Sequence, residues 1–447
     1  EQTSIGLSRT APNRITVILE VNSSVWCLEQ ASRWEMPPAT RKQGDSGQAV
    51  NLFPGLPDDV GARILCLIPF SHQSRLKPTC KSWQSFFSSS IPIRAHLSCT
   101  DHLLCIFPQD PSISAPYLFD HRNLAWMQLP CMPCNAHVYG LSNFSSVSLG
   151  ADVFVIGGSL FDTRSFPMDR PLPTSAGYKY CFLTSSWSPI TPMISPRGSF
   201  ACAAIPSLRQ IFVAGGGSRH AFFGAAGSRM CSAERYDAAL DRWVPVEGLP
   251  QCRAGCFGFS AGEREFWVMG GYGNLRTISR VFPVDEYYKD AVVMDVKKTR
   301  EWESSDWREV GDMWKEGERL RLGKLVTVDN REDSFPSNTP ALFMLDNSDI
   351  FRYDMNLNMW SKETSVPRKP LSNAAFGFVA LDGELHVMCM FKGDAGEPQR
   401  SRPLKRTGLL LLQIYNPRTK TWRSLSSRSP LPSSLDFRTA VMCTIRL

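Results

Sequence analysis

The sequence predicts a mainly β protein, a six-bladed β-propeller preceded by a small all-α module, and three observations carry that reading. The first is a unit of one aromatic or apolar residue, a polar turn and a Trp, which recurs as Phe119 to Trp126, Tyr180 to Trp187, Tyr236 to Trp243, Met294 to Trp307, Tyr353 to Trp360 and Tyr415 to Trp422. Five copies keep a seven-residue interval, the fourth is stretched by a charged insertion, and successive Trp residues stand 53 to 64 positions apart. A period of that size with strands between the marks is the mark of a propeller. The second observation is a set of short apolar runs that end in glycine: 153–156 before Gly157-Gly158, 210–214 before Gly215-Gly216 and 266–269 before Gly270-Gly271. Such runs fit strands buried on both faces, after which the chain takes positive φ. The third is that the two ends complement each other. The first unit begins with its second strand at Leu103, and an apolar strand within 437–445 follows the last Trp without belonging to a unit. Joining them completes six blades and leaves no long open edge.

In the third unit the four strands are expected at 199–204, 210–214, 233–236 and 242–246. The first, fifth and sixth units lack the glycine doublet: Phe107 runs into Pro108, Leu345 into Asp346 and Cys389 into Met390. A doublet can also form a phosphate loop, but no helix pattern follows and no Gly-Lys-Ser/Thr is present. The hydrophobic strand with Gly-Gly, then Tyr, then Trp resembles the kelch repeat.

Upstream, residues 52–87 have helical logic. Pro57 suits a first helical position, Asp58 and Asp59 favour the positive end of the helix dipole, and Val60, Ile64, Leu67 and Ile68 form an apolar stripe that Pro69 ends. Cys80, Trp83, Phe86 and Phe87 then recur at three- and four-residue steps, with Pro78 tolerable only where that helix begins. Leu56-Pro57 at the start and Cys80-Lys81-x-Trp83 at the end make this segment similar to an F-box, the helical module that docks on a Skp1-type adaptor.

An F-box followed by a kelch propeller resembles the plant F-box/kelch-repeat proteins over residues 52–447. The resemblance implies a substrate receptor of an SCF-type ubiquitin ligase, non-catalytic itself, bound to a Skp1-like adaptor and through it to a cullin. It places adaptor binding at Leu56, Pro57, Ile64, Leu67, Ile68, Pro69, Leu76, Cys80 and Trp83. Three connections after the doublets, 159–177, 218–232 and 272–290, are long, and a propeller puts equivalent loops on one face. Arg164, Arg219, His220, Phe222, Arg229, Arg276, Tyr287 and Tyr288 lie in them, a mixture of cations and aromatics suited to a peptide or acidic segment of a target protein. The aromatic members can instead pack their own loops.

Composition bounds the rest. The 447 residues are 43% hydrophobic with 12 Trp, enough for two domains and a large core. The 14 Cys are scattered through expected strands, as in Cys105, Cys202, Cys389 and Cys443, and read as buried thiols of an intracellular protein, cytoplasmic or nuclear, rather than a disulfide scaffold. No apolar run approaches a membrane span; Glu20 cuts off Ile15 to Leu19. The first residue is Glu, which leaves the true N-terminus and any targeting signal open. Residues 1–50 are expected to be a disordered tail, 51–95 the F-box and 96–447 the propeller. The formal charge of +7 matches nine basic against two acidic residues within 391–430, which reads as a solvated insertion ahead of a nucleic-acid contact. Cys131-x-x-Cys134 has no second Cys or His pair at zinc spacing, the seven His include no close pair, and no metal or cofactor is expected. The alternatives are a propeller scaffold, or a propeller enzyme similar to copper oxidases, in which the helices only pack.

Overall fold

The structure, a computed structural model, describes residues 3–11, 14–21, 24–31, 52–89, 91–96, 102–108, 115–133, 139–162, 172–217, 229–278, 282–296, 307–314, 322–328, 340–368, 376–391, 407–432, 435, 437 and 440–446. The chain divides into two compact units, Glu1–Asp101 and His102–Arg446.

In the first unit the segment expected as a tail contains strands within residues 3–31. Strands Thr3–Ala11, Arg14–Val21 and Ser24–Ala31 pair in sequence order as an antiparallel sheet. The β-branched residues of Ile15 to Val21 suit a strand. That apolar run is too short to show a period by itself, which is why sequence reasoning passed over it. Helices α1 (Asp58–Cys66), α2 (Phe70–Leu76), α3 (Lys81–Ser88) and α4 (Ile91–His96) follow. Pro57 caps α1 from one residue outside, at φ −58° and ψ 141°, rather than occupying its first turn. Asp58 and Asp59 do fill that turn, where the dipole favours carboxylates, and Asp58 Oδ1 also accepts from the Leu52 backbone N–H at 3.1 Å. Pro69 caps α2 and Pro78 stays in the α2–α3 connection, so neither interrupts a helix. Cys80 caps α3, its Sγ accepting from the Trp83 N–H at 3.5 Å.

The second unit is a six-bladed propeller of four-stranded antiparallel sheets. In strand order, blade 2 is Ser145–Leu149, Asp152–Ile156, Gly177–Cys181 and Ser186–Ile190. Blade 3 is Ala201–Ile205, Gln210–Ala214, Ala233–Asp237 and Arg242–Val246; blade 4 is Phe257–Ala261, Glu265–Met269, Ala291–Asp295 and Arg308–Val310. Blade 5 is Lys324–Val328, Ala341–Asp346, Asp349–Asp354 and Met359–Ser365; blade 6 is Gly377–Leu381, Glu384–Phe391, Thr407–Asn416 and Thr421–Pro432. Blade 1 takes its first strand, Val441–Arg446, from the far end of the chain and sets it beside His102–Phe107, Tyr117–Asp120 and Ala125–Gln128, with Cys443 opposite Cys105.

The seven-residue interval is a cross-strand pair. Phe119, Tyr180, Tyr236, Tyr353 and Tyr415 stand opposite Trp126, Trp187, Trp243, Trp360 and Trp422 on the third and fourth strands, with ring centroids 4.5 to 5.2 Å apart. The turn between them needs a left-handed residue two positions before each Trp. Leu124, Ser185, Asp241, Asn358 and Lys420 fill it at φ of 46° to 55°. In four blades the side chain of Asp120, Asp237, Asp354 or Asn416 accepts the next free backbone N–H groups of the turn, a local bond that favours turn over strand.

The Trp residues also tie each blade to the one before. The indole N–H of Trp187 donates to Pro130 O, Trp243 to Thr191 O, Trp307 to Glu247 O, Trp422 to Thr364 Oγ1 and Trp126 to Ser427 Oγ, at 2.8 to 3.4 Å. The Trp126 bond crosses the ring closure. Trp360 differs: its indole N–H is buried without a partner, and its ring stacks on Trp314 at 5.9 Å. Among the described residues no helix is long and apolar enough to cross a membrane.

Candidate functional site

The helical unit has its own core, in which Leu52, Phe53, Ile64, Leu65, Ile68, Leu76, Trp83, Phe86 and Phe87 are buried together. Trp83 is its hub: the indole donates to Leu52 O at 2.8 Å and meets Phe53 and Phe87 edge-on. Of the nine residues assigned to adaptor contact, Ile64, Ile68, Leu76 and Trp83 are buried in this core. Leu56, Leu67 and Pro69 are half-buried, and Pro57 and Cys80 are exposed. The expected α1 stripe is rotated. Val60 is 38% exposed while Leu65 is fully buried, and Gly61 faces the core so closely that a Cβ there would meet Phe53 Cδ2 at 3.0 Å. Leu56, Pro57 and Val60 therefore leave an apolar edge at the start of α1 beside Asp58 and Asp59.

In the propeller, the connections from second to third strands and from one blade to the next share one face, which the glycine doublets mark. Both residues of each doublet have positive φ, 60° and 101° at Gly157 and Gly158, 69° and 104° at Gly215 and Gly216, 65° and 103° at Gly270 and Gly271. A Cβ on Gly215 would lie 2.6 Å from Arg253 O and one on Gly157 2.7 Å from Arg197 O, so the requirement is steric as well as conformational.

Those two arginines went unnoticed in the sequence, although each precedes a first strand and stands 18 or 17 residues before its glycine. Both are fully buried. Arg197 O accepts from Gly158 N in blade 2 at 2.8 Å, while its guanidinium donates to Gly215 O at 2.9 Å, to Ser232 O and Oγ, and to Glu234 in blade 3. Arg253 repeats the arrangement one blade on, with Gly216 N on its carbonyl and its guanidinium on Gly270 O and Asp290. Burial lowers the Arg197 pKa and the Glu234 carboxylate opposes that shift. Glu234 is satisfied from its other side by the backbone N–H groups of Ile194 and Ser195 at 2.7 and 3.1 Å.

Arg229, Tyr287 and Tyr288 come together on this face. Arg229 Nε donates to Gly273 O at 3.2 Å, joining the loops of blades 3 and 4. The third connection is not a loose loop but a hairpin, Tyr272–Ile278 with Phe282–Tyr287, and Arg276 is on its first strand. The Tyr287 hydroxyl accepts from Leu322 N at 3.1 Å, and the Tyr288 ring lies 4.6 Å from Arg253 Cζ. Burial pushes both phenols up in pKa. Both tyrosines thus pack against neighbouring elements, Tyr287 on Leu322 and Tyr288 on Arg253. Arg164, Arg219, His220 and Phe222 lie outside the described residues. The first connection adds a small sheet of Tyr139–Ser142, Ser159–Asp162 and Leu172–Pro173, with Leu172 69% exposed.

On the opposite face a charged cluster spans the closure between blades 6 and 1. Asp382 accepts from His102 Nδ1 at 2.6 Å, His121 Nε2 at 3.1 Å and Arg122 Nη2 at 2.6 Å. Burial opposes its ionisation, but the hydrogen bonds from both histidines and the Arg122 charge outweigh it and hold the carboxyl well below the usual range. His386 lies behind, 5.0 Å from His121 between ring centroids, fully buried with neither ring nitrogen hydrogen-bonded. Burial first, then the His121 and Arg423 charges, lower its pKa to about 3. Between pH 6.5 and about 3 the unfolded chain therefore binds a proton that the folded chain refuses. This contribution is complete above pH 6.5 and is lost as pH falls, by up to about 1.4 kcal/mol per unit. Thermal melts of a His386→Leu variant are expected to show a flatter fall in melting temperature between pH 6.5 and 4.5 than the parent. Parallel curves would contradict the assignment. Among the described residues, no group of three or more His, Cys, Asp or Glu is placed to hold a metal ion.

No family model matches the sequence. Curated proteins do. The chain is 53% identical over 418 residues to F-box/kelch-repeat protein OR23 of Arabidopsis thaliana, covering 89% of this chain and 92% of that one. Two other F-box/kelch-repeat proteins of the same plant are 28% identical over 53% of this chain and 63% of theirs, and 22% identical over 76% and 82%. Short helices that fit an F-box, a six-bladed propeller and this near full-length similarity agree, and the chain belongs to the F-box/kelch-repeat protein family.

Proposed function

We propose that the chain is the substrate-recognition adaptor of an SCF-type ubiquitin ligase, acting inside the cell without catalysing the transfer itself. Residues 52–87 dock on a Skp1-like adaptor and, through it, a cullin. The propeller captures the target protein on its glycine-doublet face. The observation that carries the reading is that one chain combines F-box-like helices, whose Pro57 and Val60 stay exposed beside a Leu56 only partly covered by their core, with a ring whose one face is built of long, chemically varied connections on a rigid scaffold. A small helical core gains by burying such an edge in a partner, and apolar anchors of this kind commonly cost about 2 kcal/mol or more when truncated.

Leu56→Ala with Pro57→Ala is expected to lower capture of a Skp1-like protein in pull-down at least tenfold while the propeller melts as before. Unchanged capture by the folded variant rules out this docking edge. Target capture is expected to fail in a triple Arg219, Arg229 and Arg276 to Ala variant that still binds the Skp1-like protein; retained capture moves the target site elsewhere.

A further inference from the structure

Two cysteines meet on the glycine-doublet face. Cys231 lies at the end of the second long connection and Cys252 in the connection to blade 4, so the outer hairpin of blade 3, Ala233–Asp237 with Arg242–Val246, runs between them. Two backbone bonds bracket the pair: Leu249 N donates to Cys231 O at 2.7 Å and Arg253 N to Met230 O at 3.2 Å. The two side chains are hydrogen-bonded to each other, and both are free thiols with part of their surface in solvent. Burial first, then that bond and the charge of Cys231, push the Cys252 thiol up to about 11. Cys252 therefore keeps its proton at neutral pH, and the first attack on an electrophile falls to Cys231. Cys105 and Cys443 also stand opposite each other, but both are buried in blade 1.

Thiols already in contact need only side-chain rotation to reach the S–S length of about 2.0 Å, and the bracketing bonds hold the two backbones together for it. We propose that Cys231 and Cys252 are a redox modification site, at which hydrogen peroxide converts the thiol pair into a reversible disulfide. The Cys231 thiolate attacks one peroxide oxygen and the O–O bond breaks. Cys231 becomes a sulfenic acid, and the first water leaves with the proton that Cys231 gave up. The Cys252 sulfur then displaces the sulfenic oxygen, which departs with the Cys252 proton as the second water, and the S–S bond forms. The two thiols lose two electrons in all, and the peroxide gains them. The bond closes the open end of the outer hairpin and pins the exit of the 218–232 connection beside Arg253, the residue that ties the doublets of blades 3 and 4. A regulatory use of this bond rests on the doublet face being the capture face, but its formation is measured on the chain alone, so the two readings fail separately.

The test is treatment of the full chain with hydrogen peroxide, followed by digestion without reduction and mass spectrometry. A peptide pair joined through Cys231 and Cys252, two hydrogens lighter than its separate halves, is expected to be the main cross-link, with Cys105 and Cys443 still reduced. Dithiothreitol is expected to return both thiols. In a Cys252→Ser variant the cross-link is lost and Cys231 is expected to hold the sulfenic acid, which dimedone captures; in Cys231→Ser, dimedone labelling of Cys252 is expected to be absent. The cross-link map of the unmodified chain stands by itself where either variant folds poorly. Both thiols staying reduced, Cys231 passing to the sulfinic acid with Cys252 still free, or cross-linking of Cys105 to Cys443 in preference to this pair overturns the proposal.

Discussion

Deleting the closing strand Val441–Arg446 is expected to produce a propeller that melts far below the parent or aggregates. The strand pairs along its whole length with His102–Phe107, and it buries Ile445 completely and Cys443 nearly so. Its loss uncovers a strand of Leu103, Leu104, Cys105, Ile106 and Phe107 that is buried throughout, an apolar edge of the kind that recruits other chains. Truncating one buried Ile to Ala costs about 2–5 kcal/mol, and here an entire ladder goes with it. Thr444→Pro is the gentler form, since it removes one ladder N–H without shortening the chain. Thermal melts with size-exclusion chromatography measure both. A deletion variant that stays monomeric with the parent melting temperature contradicts closure by this strand.

Glu234→Ala is expected to cost about 3–5 kcal/mol, the usual consequence of leaving a buried charge without its partner. Arg197 has no exposed surface, and the same carboxylate holds the Ile194 and Ser195 N–H groups. The substitution thus orphans a cation and two donors at the junction of blades 2 and 3. Replacing Arg197 by Met in that background is expected to recover part of the loss, because a buried pair is costly mainly when half of it remains. Urea unfolding reads the effect as a lower midpoint at unchanged slope. A single variant within about 0.5 kcal/mol of the parent would show that Arg197 is solvated in solution.

Much of this architecture was legible because it repeats. Tyr236 and Trp243 are close in sequence and face each other across one turn, so their interval survives in the residue string, as does the doublet that ends the second strand of blades 2, 3 and 4. The ties between blades are less visible. Arg197 and Arg253 look like surface arginines of a connection, and only the fold shows that each carries the glycine doublet of one blade on its carbonyl and that of the next on its guanidinium. The Asp382 cluster was invisible for the same reason, since His102 and Asp382 are 280 residues apart and meet only where the ring closes. In the helical module, residue types identified the family, yet not which of its apolar residues face outward: Val60 and Leu65 are equally hydrophobic, and the approach of Leu52 and Phe53 to Gly61 decides which one is buried. The doublet face was legible as long connections, but not the packing of Tyr287 on Leu322 and of Tyr288 on Arg253.

The adaptor reading stands or falls on complex formation with a Skp1-like protein. The full chain co-expressed with such a protein and resolved by size-exclusion chromatography with light scattering is predicted to elute as a stable one-to-one complex. Separate elution of the two folded proteins at micromolar concentration would contradict it.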